Sequence, residues 1–215
     1  TSIQANGNIT AQFVQYADLV SQSDISVAKY ISHSHLIVGG DLWVGTIDKP
    51  KADGKLFGSS IQAGAAISVG ILGSPCGDTT SINLNYWADR LTKLRNTTQE
   101  KTEHLISKTN KINEAISKLK SNNKSNKKLF QRLDNALKQH LALLMKYNKN
   151  MLVQESKAVT HLDELELSVF TAIFTGVEIT IADSTLCLKR DHDASSVHWK
   201  NKKIILEPIV TANNG

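Results

Sequence analysis

Cysteine, proline and aromatic side chains are all scarce in this chain of 215 residues, which holds two Cys, three Pro and only 6% Phe, Trp and Tyr. Two cysteines, Cys76 and Cys187, with no CxxC pair between them, exclude a disulfide framework and fit a reducing intracellular compartment. Both are expected to be small buried apolar residues rather than reactive thiols. No run approaches the roughly 18 apolar residues of a membrane-spanning helix, and the opening Thr1-Ser2-Ile3-Gln4-Ala5-Asn6-Gly7 has neither the basic nor the apolar region of an export signal. The first residue is not Met and the first residues already fit the repeat described next, so a fragment of a longer protein is expected.

What the chain does have is a repeat. Four columns recur over the first seventy residues: Ile3, Leu19, Leu36, Ile61; Ala5, Ser21, Val38, Ala63; Ile9, Ile25, Leu42, Ile67; and Ala11, Val27, Val44, Val69. Every column steps by 16, 17 and 25 residues. Within each unit apolar and polar residues alternate, the period-2 mark of a short strand with one buried face. Corners separate the paired strands at Asn6-Gly7-Asn8, Gln22-Ser23-Asp24, Gly39-Gly40-Asp41 and Gly64-Ala65-Ala66. Most of these residue types accept positive φ or hydrogen-bond their own backbone. A further apolar patch at Phe13-Val14, Tyr30-Ile31, Ile47 and Ile71-Leu72 is expected to give a third strand per turn, and the extra residues Asp48 to Lys55 a loop. Strands spaced this evenly read as a solenoid, in which each rung stacks about 4.8 Å from the next. An antiparallel sandwich is the competing arrangement.

From Asn85 the period changes. Trp87, Leu91, Leu94, Thr98, Leu105, Ile112, Ile116 and Leu119 form a helical seam, and Leu129, Leu133, Leu137, Leu141, Leu144, Tyr147 and Met151 a second one. No Pro or Gly interrupts either arm, and the apolar-free run from Ser121 to Asn126 marks the turn. Each arm of about 35 residues would reach about 50 Å and project from the body. Strand-like pieces return at Val169 to Ile173, Val177 to Ile181, Leu186 to Lys189, Val197 to Trp199 and Ile204 to Glu207, where they are expected to cover an end of the solenoid. The expected fold is mainly β with a helical insertion: a parallel right-handed β-helix over 1–85, an antiparallel coiled-coil hairpin over 86–163 and short strands over 164–215.

Three stretches together resemble the flagellar assembly protein A family. They are the repeat; Gly58-Ser59-Ser60-Ile61-Gln62-Ala63-Gly64 leading into Ile71-Leu72-Gly73-Ser74-Pro75-Cys76-Gly77-Asp78-Thr79-Thr80; and Thr175-Gly176-Val177-Glu178-Ile179-Thr180-Ile181, in which Thr175 replaces the family's usual Pro. The resemblance covers essentially the whole chain in the right order. It implies a role in building or positioning the flagellum, with protein partners from the assembly or polar-localisation machinery, and supplies no catalytic residues to carry over.

Candidate chemistry is thin. His33-Ser34-His35 would set two imidazoles on one side of a strand, and Asp191-His192-Asp193 offers a second metal-like triplet, but ordinary surface or turn roles are favoured for both. Gly39-Gly40-Asp41 reads as a turn in a repeat and not as a phosphate cradle. A β-helical acyltransferase with a histidine base lacks its hexapeptide period here. No catalytic residue, metal or cofactor is therefore expected.

Charge gives the one candidate surface. Asp89 to Lys149 carries fifteen Lys/Arg against five Asp/Glu, leaving the remainder of the chain net negative. The tip residues Lys118, Lys120, Lys124, Lys127, Lys128 and Arg132 are the candidate docking group, for an acidic protein in preference to nucleic acid, since only Phe130 lies nearby to stack on a base. The sequence thus suggests a non-catalytic scaffold, cytoplasmic or at the cell pole. A self-assembling bactofilin-like solenoid, which would be a homo-oligomer, is the alternative.

Overall fold

A computed structural model describes residues 1–121, 127–162 and 165–209. The alternating segments form short strands that pair in parallel not with the next strand in sequence but with one two or three further on. β1 (Ser2–Ala5) and β2 (Ile9–Gln15) make the first turn of a coil, and β3 (Asp18–Ser21) and β4 (Ile25–Ser32) the second. β5 (His35–Val38), β6 (Leu42–Val44) and β7 (Lys55–Phe57) make the third, and β8 (Ser60–Ala63) and β9 (Ile67–Leu72) the fourth. The fifth turn is split. Its first half is β10 (Thr80–Asn83), its second is β11 (Glu166–Ile173), and α1 (Tyr86–Ser121) and α2 (Lys127–Leu162) lie between them in the chain. Then follow β12 (Val177–Ile181), β13 (Ser184–Cys187), β14 (His192–Lys200) and β15 (Lys203–Pro208).

Two sheets result, one ordered β1-β3-β5-β8-β10-β12-β13 and the other β15-β14-β11-β9-β6-β4-β2, with β7 between β4 and β9. Pairing is parallel from β1 and β2 as far as β12 and β11, so the coil extends beyond the helices. β13, β14 and β15 pair antiparallel and end the two sheets.

The repeat columns stand in file. Ile3, Leu19, Leu36 and Ile61 are register partners and the file continues through Ile82 and Ile179. Ile9, Ile25, Leu42 and Ile67 continue through Leu167 to Val197. From the second turn onward these side chains are at most 3% exposed. Each such aliphatic residue contributes roughly 1.5–3 kcal/mol by leaving water, and only because the turns on either side supply the apolar contact.

The corners are held by a polar file. The Asn8 side-chain oxygen accepts from the Asp24 N–H at 3.3 Å, the Asp24 carboxylate from the Asp41 N–H at 2.9 Å, and the Asp41 carboxylate from the Ala66 N–H at 2.9 Å. Each corner thus uses a side chain to satisfy a backbone donor of the next turn, which strand pairing cannot reach. Gly40 stands where a Cβ would collide with the Asp24 carboxylate.

The expected third strand is the far half of a bent strand. β2 and β4 each run across a bulge into segments paired Phe13 to Tyr30 and Val14 to Ile31, with Lys55 and Leu56 of β7 continuing both files. In the third turn the buried residue is therefore Leu56, not Ile47, which lies in the excursion between β6 and β7 and is 58% exposed. That excursion begins at Gly45, before the expected loop start, and re-enters at Lys55. Its neck is tight: the Gly54 N–H donates to the Val44 carbonyl, and a Cβ on Gly54 would lie 2.7 Å from the Lys29 carbonyl oxygen.

By contacts the chain divides into one unit of Thr1–Asp89 with Val159–Gly215 and another of Arg90–Ala158. Trp87, placed by its spacing in the helical seam, belongs to the first: Tyr86 and Trp87 meet edge to face at 5.1 Å, and a Cβ on Gly64 would lie 2.7 Å from the indole nitrogen. Asn85 ties this point to the end of β12, donating to the Ala182 carbonyl at 2.9 Å and accepting from the Ala182 N–H at 2.6 Å. In the second unit, Leu91, Thr98, Leu105, Ile112 and Ile116 of α1 and Leu133, Leu137, Leu144, Tyr147 and Met151 of α2 are half-buried, tracing one stripe on each helix.

Candidate interaction surfaces

On the outer face of the coil, the residues flanking the buried Val14, Ile31 and Leu56 form ring stacks. Phe13 lies over Tyr30 with centroids 5.6 Å apart and planes 15° from parallel, and Tyr16 over His33 at 5.1 Å and 11°. Phe57 meets His33 edge-on at 5.9 Å. Tyr16, His33 and Gly58 turn their corner at positive φ, 48°, 46° and 59°. A file of hydroxyls runs just beside it: the Ser34 hydroxyl accepts from the Ala17 N–H and that of Ser59 from the Ser34 N–H, both at 3.1 Å. Offset ring pairs of this kind contribute about 0.5–1.5 kcal/mol beyond their area. The sequence carried a signal for them, because Phe13 to Tyr30 and Tyr16 to His33 share the 17-residue step of the buried Val14 to Ile31.

Beside the rings, the neck of the β6–β7 excursion borders an open groove of about 660 Å³, lined among others by Lys29, Tyr30, Ser32, Asp53, Lys55 and Phe57. The Asp53 carboxylate is held at a pKa of about 2 chiefly by the Lys49 ammonium, then by the Thr46 N–H.

The metal-like triplets dissolve. His33 sits at the left-handed corner with its ring against Tyr16, while His35 opens β5, so the two imidazoles do not share a strand face. Asp191 accepts from the Thr175 N–H at 2.8 Å, and His192 begins β14. Among the described residues no group of three His, Cys, Asp or Glu side chains converges. Cys76 and Cys187 correct the expectation of burial: both are exposed, Cys76 in the turn after β9 and Cys187 at the end of β13, the edge strand of its sheet. Neither position faces the aliphatic files.

On the helices, Lys118, Lys128 and Arg132 are exposed. Lys120 and Lys127 lie within α1 and α2, and Lys124 and the side chains of Lys120 and Lys127 fall outside the described residues. Leu141, placed by its spacing in the α2 seam, is 43% exposed, and Met145 and Leu152, which the seam did not include, are 73% and 67% exposed. Their spacing of four and then seven residues puts them on one line, beside Lys138 and Lys149 and along the edge of the half-buried stripe, Leu141 lying four residues from Leu137 and three from Leu144. Lys138 pairs with Asp134 at 2.8 Å. None of the described helical segments is long and apolar enough to cross a membrane.

A family model described as the Flagellar Assembly Protein A beta solenoid domain matches residues 1–204. Nothing matches the chain among curated proteins, and nothing among solved structures.

Proposed function

The chain belongs to the flagellar assembly protein A family, and from that premise we propose that it is a non-catalytic scaffold working through protein–protein contacts, in the cytoplasm or at the cell pole. The observation that carries this reading is the surface of α2, which combines exposed Leu141, Met145 and Leu152 with a local excess of lysine. Apolar side chains left in water beside cations suit an acidic amphipathic partner, with the charges steering encounter and the aliphatic contact supplying affinity. Lys128 and Arg132, exposed nearer the start of α2, add to the same positive charge.

Two features of the architecture belong to this reading. The coil is right-handed, as strand–crossover–strand connections to a parallel neighbour almost always are. The two 36-residue helices zip antiparallel through their half-buried stripes as a coiled coil, which leaves the Leu141 stripe for a partner.

The test is a capture experiment against purified flagellar assembly and polar-localisation proteins, with the chain as bait. Reversing Lys120, Lys124, Lys127 and Lys128 to Glu should cut capture several-fold without shifting the melting temperature, because exposed charges contribute little to folding. Capture that survives both this variant and removal of residues 90–158 would end the proposal.

A further inference from the structure

The ring stacks on the coil stop short. Phe13 and Tyr30 occupy the first two turns of one file, but the third position is Lys55, which brings a cation and no ring to the level where the stack would continue. The groove lies at that step. Lys29 and Lys55 are exposed beside it and form no ion pair among the described residues. The one carboxylate on its border, Asp53, is turned to Lys49 and Thr46. Ser32, which also lines the groove, is 1% exposed, and its hydroxyl has no hydrogen-bond partner among the described residues. A buried hydroxyl without a partner costs free energy, and natural folds seldom leave one unless something else satisfies it.

We propose that this groove binds a small planar aromatic anion, whose ring continues the Phe13–Tyr30 stack above Lys55 and whose charged group lies between Lys29 and Lys55 and accepts from the Ser32 hydroxyl. The ring is selected by the side of Tyr30 away from Phe13 and by Phe57, and the anion by Lys29 and Lys55, which form no ion pair among the described residues. The open groove has room for a molecule of nucleotide size lying along it. This site is independent of the helical docking surface and gives a scaffold a means of responding to a metabolite.

The experiment titrates the full chain with adenosine monophosphate and indole-3-carboxylate as ring-bearing anions, with adenosine as a ring without the charge and with inorganic phosphate as a charge without the ring. At least one ring-bearing anion should bind with one-to-one stoichiometry by calorimetry, shift the ring resonances of Tyr30, His33 and Phe57, and exceed both controls in affinity by about tenfold. Lys55→Glu should weaken it by about tenfold at low salt while Lys128→Glu leaves it unchanged. Tyr30→Leu should abolish the advantage over phosphate. Should Tyr30→Leu fail to fold, the exposed Lys29→Glu and Lys55→Glu variants carry the test alone. No binding of either ring-bearing anion at millimolar concentration, equal binding of phosphate, or indifference to Lys55→Glu overturns the proposal.

Discussion

At Gly58 the backbone turns at φ 59°, and a Cβ there would lie 2.7 Å from Nδ1 of His33 in the turn before. Gly58→Ala combines left-handed strain with displacement of the His33 ring, so a loss of about 1–2 kcal/mol is expected in a urea titration, accompanied by loss of the Tyr16–His33 ring-current shifts. Asp53 gives a second test at this scale. Its folded pKa lies below the ordinary carboxylate value of 3.8, so its contribution to holding the excursion is present above that pH and disappears as pH falls through about 2. Carboxyl titration by NMR should find the midpoint near 2, and Lys49→Gln should move it upward, because the Lys49 ammonium is the largest cause of the depression.

Strand files and corner files fail in different ways. Ile67 sits at 0% exposure between Leu42 and Leu167, so Ile67→Ala leaves a cavity bounded by two other turns and should cost about 2–5 kcal/mol by denaturant unfolding. Asp41→Ala removes one exposed acceptor that water replaces in part, and should cost only about 1 kcal/mol. The same contrast explains what could be read from sequence. The aliphatic files were legible because burial on every turn forces the same residue class at the same steps, 16, 17 and 25, in every column. Ile47 was misplaced because it is apolar and near the expected position, although the 25-residue step from Ile31 leads to Leu56. Trp87 was misassigned because helical spacing records which residues share a face but not what covers that face. The Tyr30 groove was legible only in part: Gln15, Ser32 and Phe57 stand in one file and Tyr30 and Lys55 in another, but Thr46 and Asp53 of the excursion join them only through three-dimensional proximity.

Across the molecule, the contact division predicts that residues Thr1–Asp89 and Val159–Gly215 form a body independent of the helices. Replacing residues 90–158 by a flexible Gly/Ser linker should retain the β-sheet circular dichroism spectrum of that body, with a melting temperature within a few degrees of the parent. Collapse of the spectrum would show that the helices hold the fifth turn together. The helices fall within a turn and not between turns, and this has a consequence for synthesis. Four turns can assemble as they leave the ribosome, but β10 waits for β11, 82 residues later. At roughly 5–20 residues per second that is a delay of about 4–16 seconds, during which the newest apolar layer stands open to chaperones, to other nascent chains and to aggregation.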